Sequence, residues 1–220
     1  MIKAAPTDRP FVVAQLGQSL DGRIATRSGD SRWINGAAAL AHVHRIRASV
    51  DAVVVGVGTA ISDDPELTVR HTAGRDPARV VIDPNGRLLA DAKCLRDDGT
   101  RRILIRNGNS TAHCNAEVLS LPKSNEAQLC PREITRQLYA IGLKKILIEG
   151  GAMTVSAFVD AGTVDRLHVL VAPIILGSGK TGLDLSPINK LTDAIRPDAS
   201  VHMLDGGEVL FDCNLRREVR

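Results

Sequence analysis

At 220 residues the chain is long enough to bury a core of its own and short enough for one domain built on one large sheet. An apolar fraction of 44% with 24% charged residues is that of an ordinary globular protein, and a net charge of +3 is no nucleic-acid footprint. With three Phe, one Tyr and one Trp there is almost nothing for bases to stack on, so no nucleic-acid partner is expected. No stretch approaches the ~20 apolar residues of a membrane span, and the polar start "MIKAAPTDRP" does not read as a secretory signal. Cys94, Cys114, Cys130 and Cys213 are scattered without a CxxC pair. Free thiols in a reducing, cytoplasmic setting are the expectation, with no membrane contact.

Residues 1–10 read as a tail, and 11–220 as a single domain. "FVVAQL" (11–16) is the first strand. The segment 19–48 holds Ser31, Trp33 and Asn35 just before a helix at 36–49, whose apolar face is Ala39, Val43 and Ile46, with Asn35 as its expected N-cap. That helix has no acidic residue but carries Arg45 and Arg47. "DAVVVG" (51–56) is a strand that breaks into "GVGT" and a short polar turn. "RVVID" (79–83) and "RRILIR" (101–106) are further strands. "PREITRQLYAIG" (131–142) opens with Pro at the first helical position and stops at Gly142. "KKILIEG" (144–150) is a strand that runs into a helix at 151–162, and "DRLHVLVAP" (165–173) is another strand. "SVHMLDGGEVLFDCNL" reads as two strands joined by an Asp-Gly-Gly turn. Non-alternating Val/Ile runs separated by helices predict an α/β fold of three layers. Its sheet is mixed but mostly parallel, with flanking helices and a C-terminal antiparallel hairpin.

Several familiar patterns fail on inspection. "GVGT" resembles a Rossmann turn, but the third glycine would fall at Ile61. "GSGKTG" (177–182) lacks the leading Walker glycine, since Ile174 stands there, and Gly182 and Pro187 interrupt any following helix. "HCNAE" and "CPRE" do not supply a zinc-deaminase signature, so no metal site is expected. "LIEGGAMT" (147–154) is more informative. An apolar strand delivers Glu149, then Gly150 and Gly151, into a helix N-terminus where backbone N–H groups are free for an anion. Glu149 beside that point should aim at a substrate donor instead. Arg47 admits a plainer account as a cation at a helix end, and Asp63-Asp64-Pro65 as a turn followed by a surface Arg70.

Together, "SLDGRIA", "GDSRWI", "HRIRASVDAVVVGVGT", "DDPELTVR", "RVVID", "LIEGGAMTVSAFVDAGTVDRL" and "VAPIILGSG" resemble the reductase domain of the riboflavin-biosynthesis deaminase–reductase family. They cover about residues 11–180 in order. The resemblance implies a dihydrofolate-reductase-like fold, usually homodimeric, and NADPH-dependent reduction of the ribosyl group of 5-amino-6-(5-phosphoribosylamino)uracil to a ribityl chain. The same reduction on the 2,5-diamino-pyrimidinone phosphate is the alternative. It implies that Ser31, Arg47, Leu67 and Arg70 hold the substrate and its phosphate, with Glu149 also touching it. Gly17, Trp33, Thr59, Asp63 and the run Gly151, Ala152, Met153, Thr154, Val155, Ser156 and Ala157 would line the cofactor. Glu149 and Asp21 are the two candidates for orienting the pyrimidine or relaying a proton.

Two departures matter. The zinc deaminase domain that often precedes this reductase is not in the sequence. Pro84 follows "RVVID" where a small hydroxyl residue often contacts the cofactor, leaving Arg87 and Arg106 as candidates for the 2′-phosphate. A pterin reductase is a competing reading, but it needs a carboxylate on the first helix, where residues 36–49 offer none. A catalytically silent nucleotide-binding relative would show the same contacts. The Gly150–Gly151 junction is expected to be strained, with a cis peptide as one way to build it.

Overall fold

Strands that are apolar at consecutive positions need cover on both faces, and the computed structural model, which describes residues 6–32, 34–108, 115–122 and 129–216, provides it. The strands are β1 (Phe11–Ser19), β2 (Arg23–Ala25), β3 (Ala52–Gly56), β4 (Ala78–Ile82), β5 (Arg102–Asn107), β6 (Glu117–Leu121), β7 (Lys145–Glu149), β8 (Arg166–Ala172), β9 (Lys180–Thr181), β10 (Asp198–Met203) and β11 (Val209–Asn214). The helices are α1 (Ala37–Arg47), α2 (Val57–Asp63), α3 (Pro131–Ala140) and α4 (Ala152–Asp160).

Nine strands form one sheet in the order β10-β11-β8-β1-β7-β3-β4-β5-β6. From β8 to β6 every pairing is parallel, and only the β8–β11 and β11–β10 pairings are antiparallel. The three-layer mixed architecture and the C-terminal hairpin are those read from the sequence. Alternate side chains divide the core. Val12, Ala14, Val54 and Ile148 point to α3 and α4, where they meet Ile134, Leu138, Val155 and Phe158. Val13, Val53, Val55 and Leu147 point the other way, toward Ile46 of α1 and Val57 and Ala60 of α2. Further along, α1 sets Ala39 and Val43 against Leu170 of β8 and Leu210 of β11.

Several local expectations change. "GVGT" is no free turn: Gly56 is the N-cap of α2, and the helix begins at once. The α1 N-cap is Gly36, not Asn35, and no side chain of its own caps it. Instead the Glu208 carboxylate accepts the backbone N–H groups of Gly36 (2.9 Å) and Ala39 (3.3 Å), and the Asn35 side-chain amide (3.0 Å). A residue 172 positions away in sequence thus does what a local cap would do. "GSGKTG" supplies Lys180 and Thr181 to a two-stranded ribbon with β2, which completes the case against a P-loop. The short edge strand β6 was not anticipated. Among the described residues no helix is long and apolar enough to cross a membrane, and no group of His, Cys, Asp or Glu could hold a metal ion.

Candidate active site

The parallel strands all end at one edge of the sheet, which collects Gly17 and Ser19 from β1, Gly56 from β3, Asp83 after β4 and Glu149 from β7. At that edge two strand-to-helix junctions meet. Gly151 is the N-cap of α4 at φ 76°, and a Cβ there would lie 2.8 Å from Thr59 Oγ1 of α2. A Cβ on Gly56 would lie 2.5 Å from Thr154 Oγ1 of α4. Glycine is required at both places because the two helix starts are pressed together. The Gly150–Gly151 junction is tight but not strained in the way expected, and it contains no cis peptide. Both glycines sit at φ 76°, a region open to glycine without strain.

Within the run expected to line a cofactor, the helix sorts the side chains. Ala152, Met153, Thr154 and Ala157 keep access to solvent, with Met153 largely exposed. Val155 is sealed in the core, and the Ser156 hydroxyl accepts the backbone N–H of Asp184 at 2.9 Å. Those two side chains are structural, because a helix can present only part of its circumference to a ligand. Trp33 lies outside the described residues.

The arrangement of Arg47 and Glu149 was not foreseen. Arg47, at the end of α1, forms a bidentate pair with Glu149: its Nε donates to Oε2 at 2.8 Å, and Nη2 is in contact with Oε1. Its remaining nitrogen, Nη1, donates to the Thr68 carbonyl at 2.8 Å. Burial opposes the charge on Arg47, but Glu149 outweighs it and the guanidinium is held charged. All five donors of a guanidinium sit in one plane, so this fork is largely committed before any ligand arrives.

The adjoining loop is fixed from several sides. Leu67 is buried at φ 57°, an unusual conformation for a bulky residue. Asp76 accepts the Val69 N–H at 2.7 Å, and His44 Nδ1 accepts the Arg70 N–H at 3.0 Å. Burial first, then the charge of Arg47, pushes His44 down to about 4. Neutral His44 is therefore the acceptor that this bond requires. The Arg70 side chain is half exposed, pairs with Glu66 and reaches Thr68 Oγ1 at 3.0 Å. Among the described residues, Ser31 and Asp63 form no hydrogen bond or ion pair with Arg47, Leu67 or Arg70; Asp63 pairs with the Ser62 hydroxyl.

Asp21 turns out to be a loop anchor. Its carboxylate accepts the Ser19 hydroxyl at 2.7 Å and the backbone N–H groups of Leu176 (3.0 Å) and Gly177 (2.8 Å). These bonds, that from Ser19 foremost, hold its pKa at about 2, so it has no proton to give near neutrality. Arg106 is likewise occupied. It is buried against Asp83 at 3.3 Å, and Asp83 also accepts the backbone N–H groups of Arg87 and Leu88. The Arg87 side chain is exposed.

A row of polar side chains crosses the sheet beneath α1. Glu149 of β7 stands in register with Gln15 of β1, Gln15 with His168 of β8, and His168 with Asp212 of β11. His168 Nε2 faces Asp212 at 3.2 Å, its Nδ1 faces His42 Nε2 of α1 at 3.0 Å, and Arg166 pairs with Asp212. Neither histidine had been singled out for a role, and their pairing depends on strands that meet only in the folded sheet. A cavity of about 570 Å³ opens at the start of α1, lined by Ile34, Gly36, Pro173, Asp205 and Glu208. None of the residues expected to bind ligands lines it.

A mixed nine-stranded sheet with glycine-bordered junctions and a buried Arg–Glu pair at its carboxyl edge defines a protein of the dihydrofolate-reductase-like fold class. Dihydrofolate reductase from Enterococcus faecalis superimposes on 93% of this chain and 95% of its own, at TM-score 0.53 and 12% identity, which shows the fold alone. More particularly, the chain belongs to the RibD C-terminal domain family, whose model matches residues 10–202. RibD of Acinetobacter baumannii superimposes at TM-score 0.81 with 28% identity, over 94% of this chain and 58% of that one. The 2,5-diamino-6-ribosylamino-4(3H)-pyrimidinone 5′-phosphate reductase of Methanothermobacter thermautotrophicus is 32% identical over 199 residues, 86% of this chain and 90% of its own. The chain spans about half the length of the RibD proteins it matches, such as that of Aquifex aeolicus (33% identical, 81% of this chain and 50% of the relative).

Proposed function

We propose that this chain is an NADPH-dependent reductase of riboflavin biosynthesis, converting the ribosyl group of 5-amino-6-(5-phosphoribosylamino)uracil to the ribityl form. The observation that carries the reduction, whichever ring form it acts on, is the match to the Methanothermobacter reductase along most of both chains. That relative's name favours a second reading, in which the ring still carries its 2-amino group. A pterin substrate fits poorly, since α1 has no carboxylate for the pterin's amidine edge.

The residues present fit a dinucleotide. The start of α4 leaves backbone N–H groups open behind Gly151, beside exposed Met153 and the second glycine-bordered helix start at Gly56. When bound, NADPH would supply a hydride to C1′ of the opened sugar or of the corresponding imine. This chain's own residues bind and orient. Arg47 fixes the plane of the Glu149 carboxylate, so Glu149 accepts hydrogen bonds from substrate N–H or O–H groups. Arg70, on the pinned loop, releases Glu66 to take the substrate phosphate, with Ser31 and the Leu67 backbone beside it. Asp21 holds the 176–177 loop and is not the proton donor. Arg87, whose side chain has no partner among the described residues and which follows the β4 end, reads the 2′-phosphate in place of the hydroxyl that Pro84 removes.

We further propose a homodimer. All six residues of edge strand β10 are exposed, Val201 and Met203 among them, so the strand lacks cover on both faces and invites a second copy. Light scattering checks this; a monomer at micromolar concentration refutes it. The function is tested by NADPH oxidation with each pyrimidine ring form and a product mass two hydrogens heavier. NADPH binding without turnover of either would leave a silent relative.

A further inference from the structure

The loop that carries Arg70 is pinned at three consecutive residues, each by a different side chain. Arg47 donates to the Thr68 carbonyl, Asp76 accepts the Val69 N–H, and His44 accepts the Arg70 N–H. The last pin is unlike the others. His44 lies on α1 and is completely buried, at 0% exposure. Among the described residues its ring makes one hydrogen bond, the 3.0 Å bond from Arg70, and its Nε2 is enclosed with no partner. Accepting at Nδ1 leaves the neutral ring's proton on Nε2, so that N–H is the orphan. An apolar side chain would fill the same space without burying an unpaired donor. What the imidazole adds over such a residue is a hold on the Arg70 backbone.

We infer that His44 is a positioning residue for the substrate's phosphate: it fixes the backbone from which the Arg70 guanidinium reaches that group, without touching the substrate itself. The Arg70 side chain is half exposed and bound to Glu66 and Thr68 at the surface, so it can exchange them for a ligand. Its main chain, in contrast, is held. Positioning of this kind lowers the ordering cost of binding rather than adding a contact. His44 serves only as a neutral acceptor. Facing its ring are Arg47 on its own helix, Arg70 and His71 on the loop packed against it, and Glu149 of β7, which is already paired with Arg47. A proton gained at Nδ1 would set two donors against each other at Arg70 and add a charge beside two arginines. The inference rests on the reading of Arg70 as the phosphate ligand of the reductase.

The test compares His44→Gln, which keeps an acceptor but cannot titrate, with His44→Leu and His44→Met, which keep bulk without one. In the Leu and Met variants KM for the phosphorylated pyrimidine should rise about three- to tenfold, with kcat within twofold. NADPH affinity and kcat/KM for the dephosphorylated riboside should hold. His44→Gln should stay within twofold of the parent, and the ratio of their KM values should not change between pH 7.5 and 5.5. Losses of equal size on both substrates, or a Gln variant as impaired as Leu and Met, would make His44 a packing residue and overturn the inference. So would a failure of both apolar variants to fold. A parent KM that falls relative to that of His44→Gln as pH drops also overturns it, since a protonated His44 would then be binding the phosphate itself. If Arg70→Ala spares the phosphorylated substrate, or the parent chain oxidises no NADPH with either pyrimidine, the underlying reading fails and takes the inference with it.

Discussion

Arg47 and Glu149 form a bidentate ion pair 102 positions apart in sequence, joining the last turn of α1 to the end of β7. Both are largely buried, so each is the other's principal compensation for lost water. The resemblance distributed these two residues over separate parts of the substrate; the fold makes them one unit.

Removing one member should therefore cost stability as well as activity. Arg47→Ala is expected to lower the unfolding free energy by about 3–5 kcal/mol, because Glu149 is left buried and unpaired. Arg70→Ala, at a half-exposed residue with only a surface pair to lose, should stay within about 0.5 kcal/mol. Urea unfolding of the two variants checks the contrast, and equal stabilities would show that the Arg47 pair is not what holds α1 to β7.

Arg70 is then the cleaner probe of the substrate phosphate. A hydrogen bond to a charged group is worth about 1.5–3 kcal/mol, so Arg70→Ala should lower kcat/KM for the phosphorylated substrate roughly ten- to hundredfold. The dephosphorylated riboside, already poor, should be nearly indifferent. Equal losses on both substrates would remove the phosphate from this loop.

Cofactor choice is expected to follow Arg87. With Arg106 committed to Asp83, Arg87→Ala should weaken NADPH binding about tenfold or more and leave NADH binding unchanged. Fluorescence titration of both cofactors decides it, and an unchanged NADPH affinity would move the 2′-phosphate elsewhere.

Acid should loosen the fold through its histidines. Burial lowers His42 and His44 to about 4, and lowers His168 as well. Each folded-state value lies below the unfolded value of 6.5, so the unfolded chain binds more protons in between. Stability should be full above about pH 6.5 and fall as pH drops toward 4. Denaturant midpoints measured between pH 7 and 4.5 check the slope, and His44→Gln should flatten it. Because Gln can still accept the Arg70 N–H, a loss of folding at pH 7 would point to packing rather than titration.

Much of the fold was legible from local pattern. Apolar runs such as "AVVV" at 52–55 and "ILI" at 146–148 require burial on both sides whatever their neighbours, which selects a parallel sheet between two helix layers. Pro131 and Gly142 bracket α3 because the limits on their backbone angles act within one turn. Gly151 likewise marked a helix start at a strand end, whereas Gly56 read only as a turn and proves to begin α2. What the chain's order does not express is who meets whom across the sheet. Glu208 capping α1, Asp83 occupying Arg106, Asp21 anchoring residues 176–177, and the row from Glu149 through Gln15 and His168 to Asp212 all arise from register between strands far apart in sequence. A charged side chain's role is set by its nearest partner and by how much water remains around it. Residue type and spacing along the chain carry neither, so the sequence determined the layers and the glycine turns, while tertiary structure decided which arginine is buried against a carboxylate, as Arg47 and Arg106 are, and which is left at the surface, as Arg87 is.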